Sequence, residues 1–159
     1  MSGSGKTTIG KLIYQDLKSK NKNTVFLDGD HIREIFGNDL DHTPCSRLKN
    51  AERISYLCKY FDDEGINVVV AVLSIFPDWL AWNRSNFNKY FEIFLDVPIG
   101  ELQRRDPKGY YRLVMEGKIE NFVGFDIPFP RPSSPDLTIT LDDMQDGVES
   151  TVNKILQFI

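Results

Sequence analysis

The sequence predicts an α/β fold of three layers, in which helices cover both faces of a parallel sheet. Three observations lead to this prediction. A glycine-rich stretch at residues 2–8 runs directly into an amphipathic helix. Residues 66–73 form a continuous apolar run, which is typical of a strand buried inside a parallel sheet. Along the whole chain, short apolar runs alternate with segments of helical periodicity, and this alternation indicates strand–helix–strand units.

The first element is a glycine-rich loop that leads into a helix, with the sequence Ser2-Gly3-Ser4-Gly5-Lys6-Thr7-Thr8. Its glycines let the backbone N–H groups turn inward to face an anion, and the positive end of the following helix adds to the attraction. Lys6 is placed to reach the outer phosphates of a nucleotide, and the Thr7 hydroxyl is placed to bind Mg²⁺. The stretch predicts a phosphate-binding loop, with a flexible Gly/Ser-rich segment as the alternative.

The full phosphate-loop pattern has another glycine before Ser2, and an apolar strand normally leads into it. Neither is present in the sequence. Because that strand belongs in the middle of the sheet, we expect its neighbours to lack a partner along one edge. We also expect the natural protein to begin roughly ten residues earlier, which is the length of one strand and the missing glycine.

The other elements follow from apolar periodicity. Residues 7–20 are predicted as the first helix, because Ile9, Ile13 and Leu17 recur at helical spacing. The elements after it are a strand at 24–27, helices at about 30–37 and 46–63, a strand at 66–73, a helix from Pro77, strands at 90–95 and 136–141, and a closing helix at about 148–159. Residues 106–135 are polar, aromatic and proline-rich, and they are too numerous for a simple connection. We expect this segment to act as a lid over a bound nucleotide.

Length, composition and charge limit the possible classes of protein. The 159 residues predict a single domain, residues 1–159. The net charge of −4 gives no general attraction to nucleic acid polymers. No apolar run approaches membrane-spanning length, and no secretory signal is present. Cys45 and Cys58 are too few for a disulfide framework, so we expect reduced thiols in a cytoplasmic protein.

Five short segments, taken together and in this order, resemble the adenylylsulfate kinases. They are Ser2-Gly3-Ser4-Gly5-Lys6-Thr7-Thr8, Leu27-Asp28-Gly29-Asp30 with Arg33, Asp106-Pro107-Lys108-Gly109 with Tyr111, Asn121-Phe122 with Gly124 and Asp126, and Pro135-Asp136-Leu137. The first segment is shared by many nucleotide-binding families, whereas the later ones are far more specific. The resemblance implies a P-loop NTPase-like fold, a homodimer, and transfer of a phosphoryl group from ATP to the ribose 3′-hydroxyl of a nucleotide.

The predicted catalytic residues are Lys6, Asp28 and Asp30. Phosphoryl transfer depends on charge neutralisation and alignment, which Lys6, Thr7 and Mg²⁺ supply. Asp28 follows a strand at the ligand-binding edge of the sheet, where a carboxylate can receive or orient the proton of the acceptor hydroxyl. Asp30 is placed to hold water on the metal or to assist Asp28. The alternative for the two aspartates is a helix N-cap followed by a turn.

Other site residues are implied by the resemblance. For ATP they are Ser2, Gly3, Ser4, Gly5, Lys6, Thr7 and Thr8, with Arg104 or Arg105 stacking on the adenine. For the acceptor they are Arg33, His42, Arg47, Asn50, Ser74, Lys108 and Phe122, of which Phe122 is placed to stack on the base. A buried phenylalanine in the lid core is the alternative for Phe122, and exposed helix charges are the alternative for Arg47 and Arg104.

Two departures from the family pattern leave the acceptor open. Leu40-Asp41-His42-Thr43 stands where the family commonly has Leu-Gly-Phe, so an imidazole replaces one aromatic wall around the base. Pro77 ends the segment that in the family ends in an arginine, which reduces the positive charge near the anionic end of the acceptor. Adenylylsulfate and cytidine diphosphoramidate, a precursor of capsule phosphoramidate, are therefore equal candidates.

Two functions from other classes share the phosphate loop. A nucleotide-triphosphate switch or hydrolase needs a water-positioning residue and switch segments, and the sequence shows neither clearly. A regulatory nucleotide-binding protein without transfer activity does not need Lys6, Asp28 and Lys108 together.

Overall fold

The computed structural model describes residues 1–159, which form an α/β fold with parallel strands, as predicted. The strands are β1 Thr24–Asp28, β2 Asn67–Ala71, β3 Ile93–Asp96 and β4 Leu137–Thr140. The helices are α1 Lys6–Lys20, α2 Gly29–Ile35, α3 Pro44–Asp63, α4 Pro77–Asn86, α5 Ile99–Arg105, α6 Tyr110–Met115 and α7 Val148–Leu156, with a 3-10 turn at Asp142–Met144. Spanning a lipid bilayer would require more length and more apolar content than any of these helices has.

The four strands form two parallel pairs. β1 pairs with β2 from Thr24 beside Asn67 to Asp28 beside Ala71. β3 pairs in the same way with β4, and the two pairs share no ladder of hydrogen bonds. Each strand therefore has a hydrogen-bonded neighbour strand along one edge only. The prediction of a single, fully buried strand at 66–73 is wrong in detail. Strand β2 covers only Asn67–Ala71, and Val70 is 37% exposed.

Helices pack against both faces of the strands, which gives the predicted layers. On one face, α1 and α7 enclose a core of Ile9, Ile13, Ile139, Val152 and Ile155. On the other face, β1, α2 and α3 enclose a second core of Leu27, Ile32, Ile54 and Cys58. Cys45 and Cys58 are free thiols, and burial raises the pKa of Cys58 to about 12.

The segment 106–135 has a core of its own. Tyr111 and Phe122 from this segment pack with Val97 and Leu102. Helices α5 and α6 were not predicted from the sequence. Both are short, and the apolar residues of α6 are nearly consecutive, so they show no helical period. A chain reversal at Asp106, with a φ of 24°, separates the two helices.

An aromatic cluster joins α3 to α4. The ring of Tyr56 on α3 meets Trp79 edge-on at 5.6 Å and Trp82 edge-on at 5.4 Å. No residue of α4 is fully buried, so this helix packs on the outside of the domain. Tyr56 itself is exposed.

Candidate active site

The phosphate-binding loop has the backbone that its glycines predict. Gly3 has a φ of 74° and Gly5 a φ of 93°, a conformation that favours glycine at both positions. Helix α1 starts at Lys6 and has no acidic residue in its first turn, so nothing opposes an anion at its positive end. Ser4 is buried, and its hydroxyl donates to the Met1 carbonyl at 3.0 Å. Thr7 and Thr8 are exposed on the first turn of α1.

The Lys6 side chain folds back over the loop. Its ammonium donates to the Met1 carbonyl at 2.5 Å and lies 3.4 Å from the Ser4 hydroxyl. Burial lowers the pKa of Lys6, while the nearby charges of Asp28 and Asp30 act in the opposite direction. The lysine therefore lies against the loop, close enough to both predicted catalytic carboxylates for their charges to affect its pKa.

Asp28 connects the loop to the end of β1. The Thr7 hydroxyl donates to Oδ2 of Asp28 at 2.6 Å, and the backbone N–H of Asp30 donates to Oδ1 at 2.9 Å. The second bond is the N-cap of α2, so the capping role considered for this residue is real. The cap uses only Oδ1, so Oδ2 is left to face Thr7.

Asp30 connects β1 to the lid. The Lys108 ammonium donates to Oδ2 of Asp30 at 2.9 Å, across 78 residues of sequence. Desolvation acts to raise the pKa of Asp30, but the hydrogen bond and charge of Lys108 lower it overall. The same hydrogen bond raises the pKa of Lys108. The pair is exposed on both sides, so its partners remain accessible to a nucleotide.

Thr7, the predicted Mg²⁺ ligand, lies beside a second oxygen group. The Thr7 hydroxyl and the Asp28 carboxylate are in contact, and both are hard oxygen donors. No group of three or more His, Cys, Asp or Glu side chains is arranged as a metal cage.

Two of the predicted acceptor-binding arginines hold the loop that carries His42. Arg33 is buried and donates to the carbonyls of Leu40 and Asp41 at 3.0 and 2.9 Å. Arg47 donates to the His42 carbonyl at 2.8 Å and to the Asn121 carbonyl, in the lid, at 3.0 Å. Each guanidinium is thus already engaged by backbone oxygens. Arg47 in particular joins α3 to both the loop and the lid.

His42 lies on the loop that Arg33 and Arg47 hold, near the charges of both arginines. Desolvation lowers its pKa, and the positive charges of Arg47 and Arg33 lower it further, against the opposing effect of Asp30 and Asp41.

Asn50, one turn from Arg47 on α3, is 6% exposed, and its Oδ1 has no hydrogen-bond partner. A buried amide oxygen without a partner is costly and suits a ligand that carries a donor.

The remaining predicted residues lie in different surroundings. Phe122 is buried in the lid core, edge-on to Tyr111 at 5.0 Å, which is the alternative considered for it. Ser74 is partly buried in the segment between β2 and α4. Arg104 is exposed at the end of α5 and is bound by Glu101 at 2.7 Å.

The structure also reveals residues that the sequence analysis did not assign to the site. Both oxygens of Asp126 accept backbone N–H groups, from Asn121 and Phe122, and so fix the turn of the lid. Asp106 likewise accepts the N–H groups of Tyr111 and Arg112, each at 3.1 Å. These roles could have been predicted from the spacing, because an aspartate four or five residues from a turn often accepts hydrogen bonds from backbone N–H groups.

Taken together, three separate segments converge on the phosphate loop. They are the end of β1 with Asp28 and Asp30, the Asp106–Gly109 turn with Lys108, and α6 with Tyr111, whose hydroxyl donates to the Ser2 carbonyl. Two carboxylates, two ammonium groups and an anion-binding loop therefore lie close together. This set of groups is suited to moving a phosphoryl group between two oxygens.

Comparison with known proteins gives consistent results. The family described as "Adenylylsulphate kinase" matches residues 1–140. The cytidine diphosphoramidate kinase of Campylobacter jejuni is 36% identical over 158 residues, which cover 98% of this chain and 92% of that protein. The adenylyl-sulfate kinase of Marinobacter nauticus is 34% identical over 161 residues, covering 100% of this chain and 80% of that protein.

A solved structure shows the same similarity in three dimensions. The Mycobacterium tuberculosis APS kinase CysC, in complex with AMPPNP and APS, superimposes with a TM-score of 0.88 at 31% identity. The match covers 99% of this chain and 91% of that structure.

Proposed function

The chain belongs to the adenylylsulphate kinase family and is a phosphotransferase, and from this premise we propose that it transfers the γ-phosphoryl group of ATP to the ribose 3′-hydroxyl of a nucleotide acceptor. The observation that carries this proposal is the contact of Thr7 with Asp28 at 2.6 Å. It puts the carboxylate from the end of β1 beside the loop that would hold the triphosphate. The nearby Lys6 and Lys108 carry positive charge toward the same place.

In the proposed reaction, the acceptor oxygen attacks the γ-phosphorus of ATP and the bond to the bridging oxygen of ADP breaks. Asp28 takes or orients the proton that leaves the acceptor hydroxyl. Lys6 and the N–H groups of the loop hold the outer phosphates while their charge shifts toward ADP. Thr7, with Asp28 beside it, would hold the Mg²⁺ that neutralises phosphate charge. Lys108 would leave Asp30 and bind phosphate oxygens once substrates are present.

Two acceptors fit this class of reaction, and each has a feature in its favour. Adenylylsulfate is the substrate named for several relatives, such as the kinase of Marinobacter nauticus. Cytidine diphosphoramidate is favoured by His42, whose neutral imidazole offers a hydrogen-bonding edge and a smaller stacking area than a phenyl ring. We propose the ribose 3′-hydroxyl of either compound as the acceptor group.

The experiment is an assay of ADP release with Mg²⁺ and ATP, run with adenylylsulfate, with cytidine diphosphoramidate, and with no acceptor. Release that depends on an acceptor supports the kinase, and the ratio of kcat/KM values identifies the substrate. Release without any acceptor would point to a hydrolase. Nucleotide binding with no release would point to a regulatory protein.

We further propose that the protein acts as a homodimer in the cytoplasm, which is usual for proteins that resemble it. Sedimentation at micromolar concentration tests the oligomeric state. A monomer across the whole concentration range would contradict the dimer.

A further inference from the structure

Tyr111 is a buried residue that contacts two separate parts of the site. It lies on α6 with 2% of its surface exposed. Its hydroxyl donates to the carbonyl of Ser2, in the phosphate-binding loop, at 3.0 Å and across 109 residues of sequence. Burial raises the pKa of Tyr111 to about 12, so the hydroxyl keeps its proton and remains a donor at neutral pH.

The bond to Ser2 bears on the direction of the next N–H group. In a trans peptide, the C=O and the N–H of the following residue point in opposite directions. Holding the Ser2 carbonyl toward α6 therefore turns the N–H of Gly3 away from α6. Gly3 has a φ of 74°, and a methyl group on it would lie 3.4 Å from Cδ of Pro107. The loop thus rests directly against the Asp106–Gly109 turn.

The backbone of Tyr111 fixes the same turn from the other side. Its N–H donates to Oδ1 of Asp106 at 3.1 Å, and the carbonyl of Asp106 accepts the N–H of Gly109 at 3.0 Å. Lys108 lies in this turn, between Asp106 and Gly109, and its ammonium donates to Asp30. Tyr111 therefore holds the phosphate-binding loop through its hydroxyl, and it holds the turn that carries Lys108 through its backbone N–H.

We propose that Tyr111 is a positioning residue that keeps the phosphate-binding loop in register with the lid turn carrying Lys108. This inference rests on the proposed function, because it assumes that the loop binds the phosphates of ATP. Tyr111 itself does not touch the reacting atoms. It acts through the Ser2 carbonyl and through the carboxylate of Asp106.

The test is Tyr111→Phe, which removes the hydroxyl and keeps the packing of the ring. We expect the Kd for Mg²⁺-ADP, measured by calorimetry, to rise about fivefold, which corresponds to the loss of one hydrogen bond. The kcat/KM for ATP should fall by a similar factor, while the KM for the acceptor changes less than about twofold. Tyr60→Phe is the matched control, because Tyr60 is exposed on α3 and the substitution should change neither value.

A merely structural role would lower the melting temperature of Tyr111→Phe but leave its affinity for Mg²⁺-ADP unchanged, and that result would overturn the proposal. A second measurement needs no variant. Hydrogen exchange of residues 110–115 in the unmodified protein should slow severalfold when Mg²⁺-ADP binds, and unchanged exchange would also overturn it. Both readouts use nucleotide binding alone, so a protein that binds Mg²⁺-ADP without transferring phosphate would contradict only the proposed function.

Discussion

Lys108 and Asp30 are joined by a hydrogen bond of 2.9 Å, although one belongs to the lid and the other follows β1. Both side chains are more than half exposed, so the pair contributes little to stability. Its main effect is on charge, because each partner stabilises the ionised form of the other. The segment 106–135 is therefore linked to the end of β1 by an exposed ion pair.

Removing Lys108 should shift the pH dependence of the reaction. Lys108 lowers the pKa of Asp30, so Lys108→Met should let that pKa rise toward its ordinary value. Where the ionised carboxylate is needed, the acidic limb of kcat/KM then moves to higher pH. The measurement is a pH–rate profile of both proteins, with Lys118→Met as the control because Lys118 is paired only with Glu116. An acidic limb at the same pH in both proteins would show that Asp30 does not titrate in that range.

Lys6→Ala should abolish phosphoryl transfer, with a loss of at least about a hundredfold in kcat, because the ammonium acts on charge that moves during the reaction. The fold should persist, since burial of this ammonium is itself unfavourable and lowers its pKa. Acceptor-dependent ADP release and thermal unfolding measure the two effects. Lys11→Ala, on the exposed side of α1, is the control. Retention of substantial transfer by Lys6→Ala would remove Lys6 from the catalytic residues.

Asp28→Asn should lower kcat by at least about a hundredfold while the KM for ATP changes less than about threefold. Asparagine is also a good N-cap, so α2 should keep its first turn. Steady-state kinetics with each substrate varied will separate the two constants. Asp16→Asn on α1 is a suitable control, because its carboxylate is paired only with Lys20. If the KM for ATP rose and kcat did not fall, Asp28 would be a nucleotide ligand and not the base.

His42→Phe should change the preference between acceptors. A phenyl ring stacks on a purine over a larger area, which corresponds to a gain of about three- to tenfold in kcat/KM for adenylylsulfate relative to cytidine diphosphoramidate. Because burial lowers the pKa of His42, the preference of the unmodified protein should begin to change at a lower pH than an exposed histidine would give. His31→Phe, which alters an exposed histidine on α2, is the control. An unchanged ratio of kcat/KM values would show that His42 does not contact the base.

The parts of the site that depend on local sequence patterns could be predicted from the sequence. The phosphate loop is fixed by its glycines, and Asp28 directly follows an apolar strand, so their meeting follows from the order of strands and helices. The strand predicted at 66–73 is longer than the observed strand β2, because apolar content does not show where hydrogen bonding between strands ends. Helices α5 and α6 were missed because segments of six or seven residues carry too little periodicity.

Contacts between distant side chains and backbone atoms were beyond the sequence. Arg33 and Arg47 have the charge expected of anion-binding residues, but their donors are directed at carbonyls whose positions depend on the loop at 40–42 and on the lid. Phe122 fits both a stacking wall and a core residue, and only its neighbours decide between them. No local pattern links Tyr111 to Ser2.

The aromatic cluster on α4 has a practical consequence for spectroscopy. The chain has two tryptophans, and both lie on this helix against Tyr56. Their emission will report the docking of α4 onto α3, and it should be quenched or shifted when that contact opens during denaturation. No residue of the proposed nucleotide site lies on α4, so addition of nucleotide should leave this tryptophan emission nearly unchanged. A tryptophan placed at Phe125, which is exposed in the lid, would supply the missing optical signal for ligand titrations.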